Sequence, residues 1–203
     1  MLAGIGGLVL LTLAGVRIVR MVEDSTEPTT ASSAVGTSTS VTTTSSAGAP
    51  VTSTPGTFVT VSDDSESISI AVPVGWRDVS GSGWEVDGRD VGPAIVAAPD
   101  IDNWIATWGT PGVFVGVSIT DFFPELGDFS SVCTVGKAAK RAVGLLSGTV
   151  QSWSRCGEEA SDFYVFVGSP IDSPYVLLVQ LVSVDGTGLD ALDQIMATFS
   201  HDL

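Results

Sequence analysis

Short runs of β-branched and apolar residues, separated by polar or glycine-containing turns, predict a succession of β-strands after residue 57. The predicted strands cover residues 58–61, 68–72, 94–98, 113–119, 146–155, 163–167 and 175–184, with another around Cys133. The first two are separated by the polar segment 62–67, which predicts an opening hairpin. The continuous apolar character of 113–119 is typical of a central strand buried on both faces.

Two segments have helical spacing instead. Asp100 is a good N-cap for a helix through Trp108, with one face formed by Ile101, Trp104, Ile105 and Trp108. A closing helix is predicted from a cap near Thr187, with an apolar stripe of Leu189, Leu192, Ile195, Met196 and Phe199. Residues 137–143 fit either a strand or a helical turn. Together these elements predict an α+β fold with a mainly antiparallel sheet of six to seven strands flanked by helices.

The chain before residue 57 divides into two further parts. Residues 1–22 are apolar apart from Arg17 and Arg20, and about 20 such residues span a bilayer, so they predict a transmembrane anchor. Residues 23–56 predict a flexible linker, because 28–56 contain no charged side chain and 16 of those 29 residues are Ser or Thr. We therefore expect three parts: anchor 1–22, linker 23–56 and an extracytoplasmic domain 57–203.

The orientation of this anchor rests on opposing signals. Arg17 and Arg20 follow the apolar run and would normally hold that end in the cytoplasm. The uncharged Ser/Thr tract and the paired cysteines favour the outside, as would a basic segment upstream of Met1. A cleaved signal peptide is the alternative, although the apolar run has no basic start and no clear A-x-A site follows it. We expect a single-pass membrane protein with its C-terminal domain outside.

The net charge of the chain limits the classes of partner that it can bind. The chain has a net charge of −15, and after residue 57 there are 20 Asp or Glu residues against six Lys or Arg. Such a negative field repels phosphate backbones, so we predict no nucleic-acid partner. The acidity also keeps a secreted domain soluble.

The two cysteines, Cys133 and Cys156, enclose 22 residues. Outside the cytoplasm an even pair predicts one disulfide, and two buried thiols are the alternative. Closing a loop of this size stabilises a fold by about 3 kcal/mol in the chain-entropy description.

Catalytic chemistry finds little support in the sequence. The lone histidine, His201, lies after the closing helix, where we expect fraying, so a Ser-His-Asp site is not predicted. Asp100 with Asp102 could bind a cation, but Asp100 fits a helix cap. The segment 87–90 lacks the ordered ligands of a calcium loop and fits a polar turn. We predict no catalytic residue, no metal site and no cofactor.

A candidate ligand or partner surface comes from side chains that stand out against this background. Lys137, Lys140 and Arg141 form a basic cluster in an acidic domain, although a solvated face would need no function. Trp84 lies between glycine-rich turns and is the tryptophan that we expect to be exposed. An exposed aromatic side chain beside such turns suits recognition of a peptide, a glycan or a small ligand.

One stretch carries a resemblance to a known family. Residues 70–76 read Ile-Ala-Val-Pro-Val-Gly-Trp, a strand followed by Pro-x-Gly-Trp. With the opening hairpin, the central strands and the closing amphipathic helix, this resembles the Mog1/PsbP-like fold of LpqN-type lipoprotein domains from actinobacterial envelopes. The resemblance covers about 57–200 and implies an antiparallel sheet and a non-catalytic binding role. The chain departs from those lipoproteins in lacking a lipobox cysteine.

The function expected from these observations is that of a membrane-tethered, non-catalytic binding domain whose partner is an envelope protein or a small ligand. One alternative is the sensor ectodomain of a signalling protein with a truncated start. Another is a carboxylate-dependent cell-envelope hydrolase, which would need two carboxylates about 5–10 Å apart in a cleft.

Overall fold

A computed structural model describes residues 58–203, and this part of the chain forms twelve strands and two helices. The predicted anchor 1–22 and linker 23–56 lie outside the described residues. Within 58–203, neither helix has the length and apolar character needed to cross a membrane.

The strands, in chain order, are β1 Phe58–Ser62, β2 Ile68–Pro73, β3 Asp78–Ser80, β4 Trp84–Val86, β5 Arg89–Gly92, β6 Ala94–Ala98, β7 Gly112–Ser118, β8 Thr134–Val143, β9 Leu146–Cys156, β10 Ser161–Pro170, β11 Val176–Ser183 and β12 Ser200–His201. The helices are α1 Ile101–Ala106, between β6 and β7, and α2 Gly188–Thr198, between β11 and β12.

Seven of the strands form one antiparallel sheet in the order β3-β6-β7-β11-β10-β9-β8. Two smaller sheets contain β1-β2-β12 and β4-β5. The predicted α+β class with a mainly antiparallel sheet is confirmed, and so is the opening hairpin, in which Phe58 pairs with Pro73. All seven residues of β7 are buried, as predicted for a central strand, but the strand ends at Ser118 and Ile119, the last residue of the predicted run, is 51% exposed.

Both faces of the large sheet are covered, because successive residues of its inner strands point to opposite sides. On one face, Tyr164 and Phe166 of β10 belong to a core that includes β2 and α2. On the other face, Phe163 and Val165 belong to a second core dominated by aromatic side chains. The aromatic members of this second core are Trp84, Trp104, Phe114, Phe129, Trp153 and Phe163.

The turn between β1 and β2 is organised by a buried carboxylate. Asp63 accepts hydrogen bonds from the backbone N–H of Ile68 at 2.7 Å and of Ser65 at 3.1 Å, and from the Ser65 hydroxyl. Burial raises the pKa of Asp63, but these hydrogen bonds outweigh burial and leave the pKa below its usual value. The hairpin thus depends on the ionised form of Asp63.

Helix α1 begins as predicted. The Asp100 side chain accepts a hydrogen bond from the Asn103 N–H at 2.9 Å, which confirms the N-cap. The helix ends at Ala106, earlier than expected, so Trp108 lies beyond it. Trp104 is buried, whereas Ile105 is 40% exposed, so the predicted four-residue apolar face is only partly correct.

Helix α2 carries the predicted apolar stripe except at Leu189, and Phe199 at its end packs partly buried against the same core. Leu192, Ile195 and Met196 are buried against the sheet as expected, but Leu189 is 41% exposed. The N-cap is Thr187, whose side chain makes no capping bond to the helix. Its hydroxyl instead donates to Asp185 at 2.6 Å. Close packing of Gly188 on Tyr164 brings the helix start against the sheet and leaves Leu189 outside.

One hairpin was not predicted. Strands β4 and β5 are joined by Asp87 and Gly88, both at positive φ, with Val86 paired with Arg89. This two-residue turn favours an Asp-Gly pair because both central residues need positive φ. The predicted polar turn at 87–90 is confirmed for Asp87 and Gly88, whereas Arg89 and Asp90 belong to β5. The Asp-Gly pair was the available signal for the hairpin itself.

Candidate partner-binding edge

The basic cluster of the sequence lies on a free edge of the large sheet. Strand β8 has ten residues and is the last strand of the order, with β9 as its single strand neighbour in the described part of the chain. None of its residues is buried. An edge strand presents unpaired backbone N–H and C=O groups, and therefore offers a template for a further strand.

The opposite edge of the sheet is different. Strand β3 has only three residues, and the Asp78 carboxylate accepts a hydrogen bond from the backbone N–H of Ile101 at the start of α1. A short edge covered by a helix start offers little backbone for pairing. The two edges are therefore unequal, and β8 is the accessible one.

Strand β8 is held at both ends. Cys133, just before it, forms a disulfide with Cys156 at the end of β9, so the predicted disulfide is present at a strand end. At the other end, Gly144 at φ 57° allows a tight turn in which Val143 pairs with Leu146. The helical alternative for 137–143 is wrong, because pairing with β9 outweighs the helix-favouring Ala and Lys content.

A β-bulge divides β8 into two parts. The register shifts between Val135 and Ala138, so that Gly136 and Lys137 lie opposite Ser152. The side-chain amide of Gln151 donates to the Gly136 carbonyl at 3.1 Å and stabilises the bulge. From Ala138 to Val143 the pairing with β9 is regular, and this stretch is the usable edge.

The cations of β8 point to opposite faces of the sheet. Arg141 reaches α2, where its guanidinium donates two hydrogen bonds to the Asp193 carboxylate. The hydrogen bond to Asp193 raises the pKa of Arg141 above its usual value. Lys140, one residue earlier, points to the other face and donates to the Thr149 hydroxyl at 3.0 Å. Charge is therefore available on both sides of the strand.

Two of these cations have no carboxylate partner among residues 58–203. The pair between Arg141 and Asp193 is the one ion pair among residues 58–203. Lys137 and Lys140 consequently lie more than 4.0 Å from any carboxylate oxygen of that part of the chain. Their uncompensated charge is notable because 20 acidic residues are distributed over the same domain. Strand β8 therefore carries exposed positive charge on a domain whose other charged residues are mainly acidic.

Trp84 does not belong to this surface, and the prediction that it is exposed is wrong. Its side chain is 4% exposed and makes edge-to-face contacts with Phe114 at 5.5 Å and Phe122 at 5.4 Å. It packs over Gly116, where a Cβ would lie 2.7 Å from the indole. The glycine-rich residues before Trp84 bring the indole into the aromatic core.

His201 also differs from expectation. It pairs with Ile68 as part of β12, and its ring packs against Phe199 and Tyr175, with centroid distances of 5.7 and 6.1 Å. The expected fraying is therefore replaced by a third strand on the small sheet. Among residues 58–203, no three His, Cys, Asp or Glu side chains are grouped to hold a metal ion.

The chemistry that this edge can perform is recognition: backbone hydrogen bonding to an extended chain, with two lysines to select its charge.

No protein-family model matches the sequence, and no curated protein matches it. The basic cluster was visible in the sequence, but its place on a free edge depends on the order of seven strands, which no local pattern encodes.

Proposed function

We propose that residues 57–203 form a non-catalytic binding domain that engages a partner protein through strand β8. In this proposal the domain acts outside the membrane, held by the anchor 1–22 through the linker 23–56. The single observation that carries the binding role is a ten-residue edge strand that has one strand neighbour, and two lysines without a carboxylate partner, in the part of the chain that the structure describes.

The side chains of β8 support a role in pairing. Gly136, Ala138, Ala139 and Ala142 are small and exposed, so they leave the backbone accessible. A strand with no buried residue contributes little to the core. Strand addition uses such an edge, with main-chain hydrogen bonds for affinity and side chains for specificity.

The tether is supported by the sequence. An uncharged Ser/Thr-rich segment buries too little apolar surface to fold, and a flexible chain of 29 residues has a root-mean-square reach of about 30 Å. The disulfide agrees with an oxidising compartment. The resemblance to Mog1/PsbP-like envelope domains belongs to the same proposal.

A non-catalytic role is supported by the surroundings of His201. Its ring is engaged with Phe199 and Tyr175 in β12, an arrangement that contributes to packing. A hydrolase would need a base beside a nucleophile, or a pair of carboxylates across a cleft.

Site-specific photo-crosslinking in intact cells tests the binding role. A photoreactive residue is placed at Ala142 on β8 or, as a matched exposed control on another strand, at Asp90 of β5. We expect one defined adduct from position 142 and none from 90, and the purified partner should bind with the same dependence on β8. Equal adducts from both positions, or none from 142, would contradict the proposal.

Protease treatment of intact cells tests the location separately. We expect cleavage in the linker to release the disulfide-bonded domain into the medium. Complete protection of the domain in intact cells, with cleavage after lysis, would place it in the cytoplasm.

A further inference from the structure

We infer that the partner presents to β8 an extended segment with consecutive acidic residues, which adds as an eighth strand beside Ala138–Val143. This inference rests on the proposed function and specifies the chemistry of the partner at the same edge. It follows from the position, length and charge of β8 taken together.

The requirement for an extended segment comes from the backbone. In an edge strand, every second residue directs its N–H and C=O groups away from its neighbour. The regular register from Ala138 to Val143 places these groups at the spacing of a normal ladder. The bulge at Gly136 and Lys137 ends the regular stretch, so the added strand covers about six residues.

The requirement for acidity comes from the unmatched charge. Lys137 and Lys140 have no carboxylate partner among residues 58–203, whereas Arg141 is already paired with Asp193. A strand added beside Ala138–Val143 would lie next to Lys140, and its end would reach the bulge that contains Lys137. Carboxylates on it would be attracted by them, whereas a neutral or basic strand would leave the charges unmatched or repelled.

The requirement for consecutive acids comes from alternation along the strand. Lys137 lies opposite Ser152 in the bulge, whereas Lys140 is paired with Thr149. Ser152 and Thr149 are three positions apart in the regular part of β9, so they face opposite sides of the sheet. A segment with acids at every second residue would match one lysine only. Adjacent acidic residues would place a carboxylate on each face and match both.

The same charges argue against a second copy of this chain as the occupant. Two β8 strands paired with each other would bring lysines and arginines of both copies together at one edge. Like charges across a strand pair are destabilising, and edge lysines are a common means of preventing such pairing. The lysines of β8 therefore disfavour pairing with β8 of a second copy and favour pairing with an acidic strand.

The test uses the full-length chain in detergent micelles and a capped synthetic peptide of about six to nine residues, in which Glu-Glu pairs alternate with single Val residues. Comparison peptides replace Glu by Gln, or carry N-methyl groups at every second residue. Binding is measured by titration, and backbone hydrogen exchange is followed with and without peptide.

We expect the Glu peptide to bind and to slow hydrogen exchange specifically at the outward-facing amides of Ala138–Val143. The Gln and N-methylated peptides should bind about tenfold more weakly or worse, because they lose the charge match and the ladder respectively. The double variant Lys137→Glu/Lys140→Glu should lose about ten- to thirtyfold in affinity.

The matched control is Arg77→Glu/Arg89→Glu, which makes the same change in net charge at exposed positions away from β8. It should keep its affinity within about twofold, since surface charges at a distance are screened. The neutral pair Lys137→Gln/Lys140→Gln should bind with intermediate affinity, and it provides the test if charge reversal prevents folding.

Each other result overturns the inference in a distinct way. Equal binding of the Glu and Gln peptides with slowed exchange at β8 would remove the acid preference but leave the proposed function. Binding without slowed exchange at β8 would remove strand addition. Failure of the Glu peptide to bind, or a concentration-dependent dimer that protects β8 without peptide, would overturn the acidic partner. Loss of site-specific crosslinking at β8 would remove the proposed function as well.

Discussion

Arg141 of β8 and Asp193 of α2 form a two-pronged ion pair, in which Nε donates to Oδ1 and Nη2 donates to Oδ2. This pair holds the edge strand to the closing helix. It also neutralises one of the three cations of β8, which leaves the charge of the edge to Lys137 and Lys140.

We predict that this ion pair contributes modestly to stability. The two side chains are 33% and 35% exposed, so solvent screens their attraction. A double-mutant cycle with Arg141→Ala and Asp193→Ala should give a coupling free energy of about 0.3–1 kcal/mol that falls with added salt. The control cycle pairs Lys140→Ala with Asp193→Ala, across the sheet, and should show no coupling. A salt-independent coupling well above this range would contradict the prediction.

The disulfide should make a larger contribution. Cys133→Ala/Cys156→Ala removes a crosslink that spans 23 positions, and the free energy of unfolding should fall by about 3 kcal/mol in urea titrations. Reduction of the unmodified protein should lower its stability by a similar amount, because it removes the same crosslink. If both treatments leave the unfolding midpoint unchanged, the disulfide does not constrain the unfolded chain as we expect.

Trp84 should behave as a core residue. Trp84→Ala should lower the free energy of unfolding by about 3–5 kcal/mol, since it removes a buried aromatic side chain. Trp84→Phe should lower the free energy of unfolding much less. The indole Nε1 that it removes has no hydrogen-bond partner among the described residues, and the ring contacts with Phe114 and Phe122 can persist. A neutral Trp84→Ala variant in urea unfolding would place this side chain outside the core.

Asp63 should make stability depend on acid pH. Its pKa is lowered in the folded protein, so the stabilisation is present above the unfolded value of 3.8 and is lost as the pH falls through the lower folded value. Asp63→Asn should lower the free energy of unfolding at pH 7 by about 1.5–3 kcal/mol and have a smaller effect in strong acid. The control is Asp64→Asn, at an exposed neighbouring carboxylate. Parallel pH profiles for the Asp63 variant and the unmodified protein would contradict this role.

Local patterns predicted the parts of the fold that depend on neighbouring residues. The opening hairpin, the buried run of β7 and the cap at Asp100 each follow from short-range alternation or side-chain chemistry. The secondary structure of residues 137–143 is ambiguous in the sequence because Ala and Lys favour helices. Pairing with β9 stabilises the strand. Leu189 was misplaced because its exposure depends on how closely Gly188 approaches Tyr164.

In the candidate site, too, some features follow from neighbouring residues and others from contacts between distant residues. The basic character of Lys137, Lys140 and Arg141 was evident, but which of them keeps an unmatched charge depends on Asp193, 52 positions after Arg141 in the chain. Trp84 was assigned to the surface from its glycine-rich neighbours. Its burial results from contacts with β7 and the loop after it, which cannot be inferred from adjacent residues.

The sequence by itself determined the strand-rich class, the disulfide-forming pair and the strongly acidic charge, because these depend on composition, alternation and residue type. Only the tertiary structure decided that β8 has no second strand neighbour among residues 58–203, that Lys140 and Arg141 face opposite sides of the sheet and that Trp84 is buried. The physical reason is that strand order and side-chain burial arise from contacts between distant segments, whose free energies depend on the whole packed domain.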